Sequence, residues 1–128
     1  MLYKRFSFFL LPKHEQKYNQ DLTHFTLAVN ENKGSNIPVS INASGGPRHT
    51  RDRRLYWTMK LQRYSGGSWR TIGTRTGYTS ENSPSNRTFT NVIRNGRDPL
   101  RVILTDFRTS YWSNNSVVAS PNFGVTGM

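Results

Sequence analysis

One stretch constrains the fold more than any other: Arg54 to Arg75, RLYWTMKLQRYSGGSWRTIGTR. From Leu55 to Leu61 apolar and polar residues alternate. Leu55, Trp57, Met59 and Leu61 point one way, and Tyr56, Thr58, Lys60 and Gln62 the other. A period of two is the mark of a strand buried on one face. Ser65-Gly66-Gly67-Ser68 then reads as a tight turn, because glycine reaches positive φ without a steric penalty. Folding back about that turn sets Tyr64 opposite Trp69 and Leu61 opposite Ile72. Leu61 and Ile72 then share the buried face, and Tyr64 and Trp69 pair on the other. A hairpin in one register satisfies both faces.

The flanking sequence repeats the pattern. Thr23 to Asn30 alternates with Phe25, Leu27 and Val29 on one face. Ile37, Val39 and Ile41 alternate in IPVSI, and Pro38 predicts that this strand lies at an edge or begins there. Residues 42–54 form a loop broken by Gly45-Gly46-Pro47. Residues 76–85 form another. Asn86 to Val92 reads as a strand around Phe89. Asn95-Gly96 marks a turn, and Asp98-Pro99 ends it. Leu100 to Phe107 is the most apolar strand, with Leu100, Val102 and Leu104 on one face and Ile103 on the other. Ser113-Asn114-Asn115 predicts a turn before a last short strand at 116–119, and 121–128 reads as a tail or a final edge strand.

Residues 1–23 are read as an N-terminal arm or edge strand, and 24–128 as the domain proper. The run Phe6 to Leu11 resembles a secretory signal, but Pro12-Lys13-His14 ends it and no small-residue cleavage site follows. It is also too short to span a bilayer. The whole pattern predicts an all-β chain: a single antiparallel β-sandwich of seven to eight strands, with a small jelly roll or barrel as the alternative.

The order of elements resembles an immunoglobulin-like or fibronectin type III-like sandwich over about residues 24–120. Trp57 falls inward on a middle strand, where such domains hold a core tryptophan. A hairpin follows, then the Phe89 strand, a turn and the LRVIL strand. The cysteine pair of true immunoglobulin domains is absent, and Leu100 stands near the place where they carry a tyrosine. The resemblance implies a fold and no functional residues, because this architecture hosts unrelated activities.

No catalytic template fits. The chain has no cysteine, so disulfides, thiolate metal sites and cysteine nucleophiles are excluded. His14, His24 and His49 lack zinc-ligand spacing. No Gly-x-Ser-x-Gly elbow and no phosphate-cradling loop is present. Asp52 and Asp106 are expected in structural pairs with arginine. Neither a cofactor nor a metal is called for, and the chain is read as no enzyme. Asn-x-Ser/Thr sequons at Asn42, Asn86 and Asn114 matter only in a eukaryotic secretory route.

Charge gives the functional direction. The chain carries 18 Lys and Arg against 7 Asp and Glu, a formal charge of +11. Such an excess attracts polyanions, and the planar fork of arginine suits phosphate, sulfate and carboxylate. Two groups of candidate ligand-binding residues emerge. Arg48, Arg51, Arg53 and Arg54 crowd the loop that enters the hairpin, whose outward face bears Tyr56, Lys60, Tyr64 and Trp69. Phe107, Arg108, Tyr111 and Trp112 form a second aromatic group near the last strand. Together they predict a binding module for an anionic polymer or surface, either a glycan or a lipid, secreted or held at the cell surface. Nucleic acid is the alternative partner. A structural domain that forms a homo-oligomer through an edge strand is the third reading.

Overall fold

The structure is a computed structural model that describes residues 3–10, 23–30, 34–45, 54–80, 84–109, 113–114 and 117–125. All of its regular elements are strands: β1 (Tyr3–Leu10), β2 (Thr23–Asn30), β3 (Ile37–Gly45), β4 (Leu55–Ser65), β5 (Ser68–Thr79), β6 (Ser85–Phe89), β7 (Leu100–Arg108), β8 (Ser113–Asn114) and β9 (Val118–Ala119). They form two antiparallel sheets. One has the order β1-β2-β3-β6, the other β5-β4-β7, with the two-residue strands β8 and β9 both paired to β7.

The sheets enclose one core, and alternation decides who enters it. Leu27 and Val29 come from β2, and Ile37, Val39 and Ile41 from β3. Leu55, Trp57, Met59 and Leu61 come from β4, and Leu100, Val102 and Leu104 from β7. Each of these positions lies on the inward face that period two assigns to it. Trp57 is the largest of the fully buried side chains and has no accessible surface.

The hairpin turns at Gly66-Gly67, with φ of 64° and 88°. Positive φ at both central residues is the type I′ geometry that matches strand twist. Tyr64 faces Trp69 as expected. The buried side of the register differs. Gln62 pairs with Thr71, but Leu61 pairs with Gly73, so Ile72 is the extra residue of a bulge. The cause lies in the other sheet. A Cβ on Gly73 would stand 2.8 Å from Cδ1 of Phe89. Phe89 thus fills the space that a simple register gives to Ile72, and Ile72 is left 44% exposed. Ile72→Thr is therefore expected to change unfolding free energy by no more than about 0.5 kcal/mol, the range of a surface substitution. An unfolding free energy, measured in urea, that fell by the roughly 2 kcal/mol or more of a core truncation would refute the bulge.

Other sequence expectations need correction. Of the two places that Pro38 allowed for the IPVSI strand, the structure takes the strand start and not the edge: β3 lies between β2 and β6, with residues 37–41 paired to β6. Its ladder with β2 begins at Val39, one residue past Pro38, so the missing amide falls at the strand's start. β5 continues to Thr79, through part of the expected 76–85 loop. Ser113 and Asn114 pair with Arg108 and Phe107 instead of turning freely. Of the stretch read as a tail or a final edge strand, the described residues 121–125 include a bridge to β7 at Phe123, which enters the core. Phe123 is 1% exposed, and its backbone exchanges hydrogen bonds of 2.8 and 2.9 Å with Leu100. The Asn95-Gly96 turn is as expected, with Asn95 Oδ1 accepting from the amides of Arg97 and Asp98.

β5 contributes no side chain to the apolar core. Past the bulge its inward positions are Gly73, Arg75, Gly77 and Thr79. Arginines from the two facing edge strands close this side. Arg75 on β5 donates from Nη2 to the carbonyl of Thr88 on β6 at 3.3 Å, and its guanidinium lies 4.9 Å from the Phe89 ring centre. Arg87 on β6 donates from Nε to the carbonyl of Thr76 on β5 at 3.1 Å, and stands 5.7 Å from the Trp57 ring. Gly77 makes room for this, since a Cβ there would be 2.6 Å from Arg87 Nη2 and 2.8 Å from Trp57 Cη2.

Candidate functional site

The side of the β5-β4-β7 sheet turned away from the core is built from the outward half of each alternation. Cross-strand register orders it into rows. Tyr78, Tyr56 and Arg108 form the first, and Thr76, Thr58 and Thr105 the second. Thr74, Lys60 and Ile103 follow, then Thr71, Gln62 and Arg101, and finally Trp69 with Tyr64 at the turn. The four hairpin residues singled out in the sequence, Tyr56, Lys60, Tyr64 and Trp69, share this face.

The face has an arginine–aromatic cluster at each end. Near the turn, the Tyr64 and Trp69 rings are 5.3 Å apart and tilted by 60°. Arg101 reaches from β7 across β4 and places its guanidinium 4.1 Å from the Trp69 ring centre. Its Nε donates to Gln62 Oε1 at 2.8 Å, and Gln62 Nε2 donates to Thr71 Oγ1 at 3.2 Å. That chain of contacts holds the guanidinium over the indole ring. A guanidinium stacked this way still presents edge N–H donors to an anion. At the far end the Tyr56 and Tyr78 rings are 5.5 Å apart and tilted by 57°. Arg54 lies 4.5 Å from the Tyr78 ring and Arg108 lies 5.6 Å from the Tyr56 ring. Tyr64 and Tyr78 are 41% and 39% exposed, so one ring of each pair is open to solvent.

Several expected members are placed elsewhere. Phe107 is fully buried in the core, because β7 has a bulge before it. Register passes from Tyr56 opposite Arg108 to Thr58 opposite Thr105, so Asp106 and Phe107 share one position against Trp57. Asp106 takes the strain with a φ of 55°. It makes no ion pair among the described residues. Arg108 Nη1 bonds its carbonyl oxygen at 3.4 Å instead. Arg63 and Arg70, which flank the turn in sequence, pair with each other on the opposite face from Tyr64 and Trp69. Arg48, Arg51, Arg53, Tyr111 and Trp112 lie outside the described residues, as do His14, His49 and Asp52.

Three members were not singled out from sequence: Arg101, Gln62 and Tyr78. Signals for them existed. Alternation in LRVILTDF sets Arg101 outward with Ile103, and the alternation Arg75, Gly77 against Thr76, Tyr78 extends the second hairpin strand through Tyr78.

Two antiparallel sheets around one core, with a basic and aromatic outer face, define the class of this chain. No protein family, no curated protein and no solved structure matches it. Among the described residues no three His, Cys, Asp or Glu side chains gather as metal ligands. Nor does any helix among them have the length and apolarity to cross a membrane.

Proposed function

We propose that the chain is an immunoglobulin-like, non-enzymatic binding module that recognises an anionic polymer through the outer face of β5-β4-β7, outside the cell or at its surface. Strand order supports the fold assignment. The sequence β2-β3-β6 in one sheet and β5-β4-β7 in the other reproduces the A-B-E and C′-C-F pattern of that family, with β8 and β9 in the place of the final G strand. β1 is an addition beyond the first strand.

One observation supports the ligand class. Each of the two aromatic pairs on the face is joined by guanidinium groups, and the face's described side chains include four cations, Arg54, Lys60, Arg101 and Arg108, with Asp106 as the neighbouring acid. Cations held against rings are oriented before the ligand arrives, so little side-chain entropy is lost on binding.

The test compares dextran sulfate, anionic liposomes and single-stranded DNA across a salt series. Wild type is set against Trp69→Ala/Arg101→Gln, a variant of two surface positions. Loss of one stacked, charge-assisted contact is expected to weaken polymer binding by about 10- to 100-fold, with an unchanged circular dichroism spectrum. Equal binding by the variant, or none by the wild type at low salt, refutes the proposal.

A further inference from the structure

We infer that the outer face is a two-ended track for a linear anionic polysaccharide that lies along the strands, and that tight binding requires the chain to reach both arginine–aromatic clusters at once. This rests on the anionic-polymer reading and adds the ligand's shape and backbone.

The geometry sets the track. Tyr64 and Tyr56 are eight residues apart on one strand, a separation of about 26 Å at roughly 3.3 Å per residue. Each end carries rings with a guanidinium over them. Between the ends the β4–β5 lane is lined by Thr58, Thr74, Thr76 and Lys60: three hydroxyls and one cation. Hydroxyl-lined lanes suit sugar hydroxyls, which both donate and accept. Lys60 at the middle supplies a positive charge for an anionic substituent passing over it.

Nucleic acid suits the clusters less well. Bases bind to such proteins by stacking on open aromatic ring faces. Here the rings in each pair are tilted by 60° and 57°, and Arg101 covers one face of Trp69.

Two weak sites joined by one ligand act with an effective concentration. The second contact forms within the complex, and avidity rises by about 10²- to 10⁴-fold once the ligand spans both sites. A length threshold follows, and it differs from ordinary charge attraction, which grows smoothly with the number of anions.

The experiment titrates size-fractionated dextran sulfate, with fractions shorter and longer than about 26 Å, into the full chain, followed by calorimetry and tryptophan fluorescence. Affinity per sulfate is expected to rise at least 100-fold across that length. Tyr56→Ser/Arg108→Gln removes part of the far cluster. It is expected to reduce the long fraction to the affinity of the short one, and to leave the short fraction's fluorescence response at Trp69 in place. Equal affinity per sulfate at all lengths overturns the track and leaves the face-binding proposal standing. Binding of single-stranded DNA as tightly as dextran sulfate of matched length overturns the polysaccharide assignment. No binding of any sulfated polymer at low salt overturns both proposals.

Discussion

Trp57→Ala is expected to lower the unfolding free energy by about 3–5 kcal/mol, the cost of truncating a fully buried large ring. For a chain of this size that corresponds to a fall in Tm of roughly 10–20 °C. The ring stands between Gly77 on one side and the β7 bulge at Asp106 and Phe107 on the other. A bulge and a glycine are both shaped around it, so the site has little freedom to collapse. Trp57→Phe keeps the variant foldable and tests the same claim. Nε1 of Trp57 is buried without a hydrogen-bond partner. Phenylalanine leaves a smaller void and removes that unsatisfied donor, whose burial costs about 1–3 kcal/mol. The phenylalanine variant should therefore lose no more than about 1.5 kcal/mol. Near-equal losses in the two variants, measured by urea unfolding, would mean that Trp57 is not packed as described.

The second large effect belongs to the arginines that close the β5–β6 side. Arg75→Ala/Arg87→Ala is expected to cost about 2 kcal/mol, one for each charge-assisted bond and covered ring after allowance for solvent. Association should rise as well. The two side chains occupy carbonyls of Thr88 and Thr76 on edge strands, and removing them frees acceptors for a foreign strand. Light scattering across a concentration series should show dimers or larger species in the double variant. Arg75→Lys/Arg87→Lys should recover only part of the effect, because a lysine keeps the charge and loses the planar fork. An unchanged midpoint with a concentration-independent monomer would refute the stitching role.

Local patterns made much of this architecture readable. The alternation from Leu55 to Leu61, in Thr23–Asn30 and in Leu100–Phe107 is a property of single strands; burial follows it residue by residue from Leu55 to Leu61, and Leu27, Val29, Leu100, Val102 and Leu104 enter the core as it requires, although Ala28 and Ile103 on the other faces are buried as well. Gly66-Gly67 announces its own turn, since the backbone conformation is chosen by the residues in it. The features that escaped depend on partners far away in sequence. Ile72 leaves the core because Phe89, from the opposite sheet, fills the space beside Gly73. Phe123 enters the core from a stretch with no period at all. Proline at position 38 allowed either an edge or a strand start, and the choice between them, a start, is made by β6 on the other side. The same division holds for the candidate face. Tyr56, Lys60, Tyr64 and Trp69 follow from one hairpin, whereas Arg101 joins them only when β7 is laid beside β4.

β5 offers a last consequence. Its inward positions are small or hydrophilic, so the apolar core is complete without it. Its attachment comes from the backbone ladder to β4 and from the arginines at its rim. The outward residues Trp69, Thr71, Thr74, Thr76 and Tyr78 are thereby decoupled from the packing that decides whether the chain folds. Substitutions at those exposed positions are therefore expected to alter the chemistry of the face at little cost to the body that carries it.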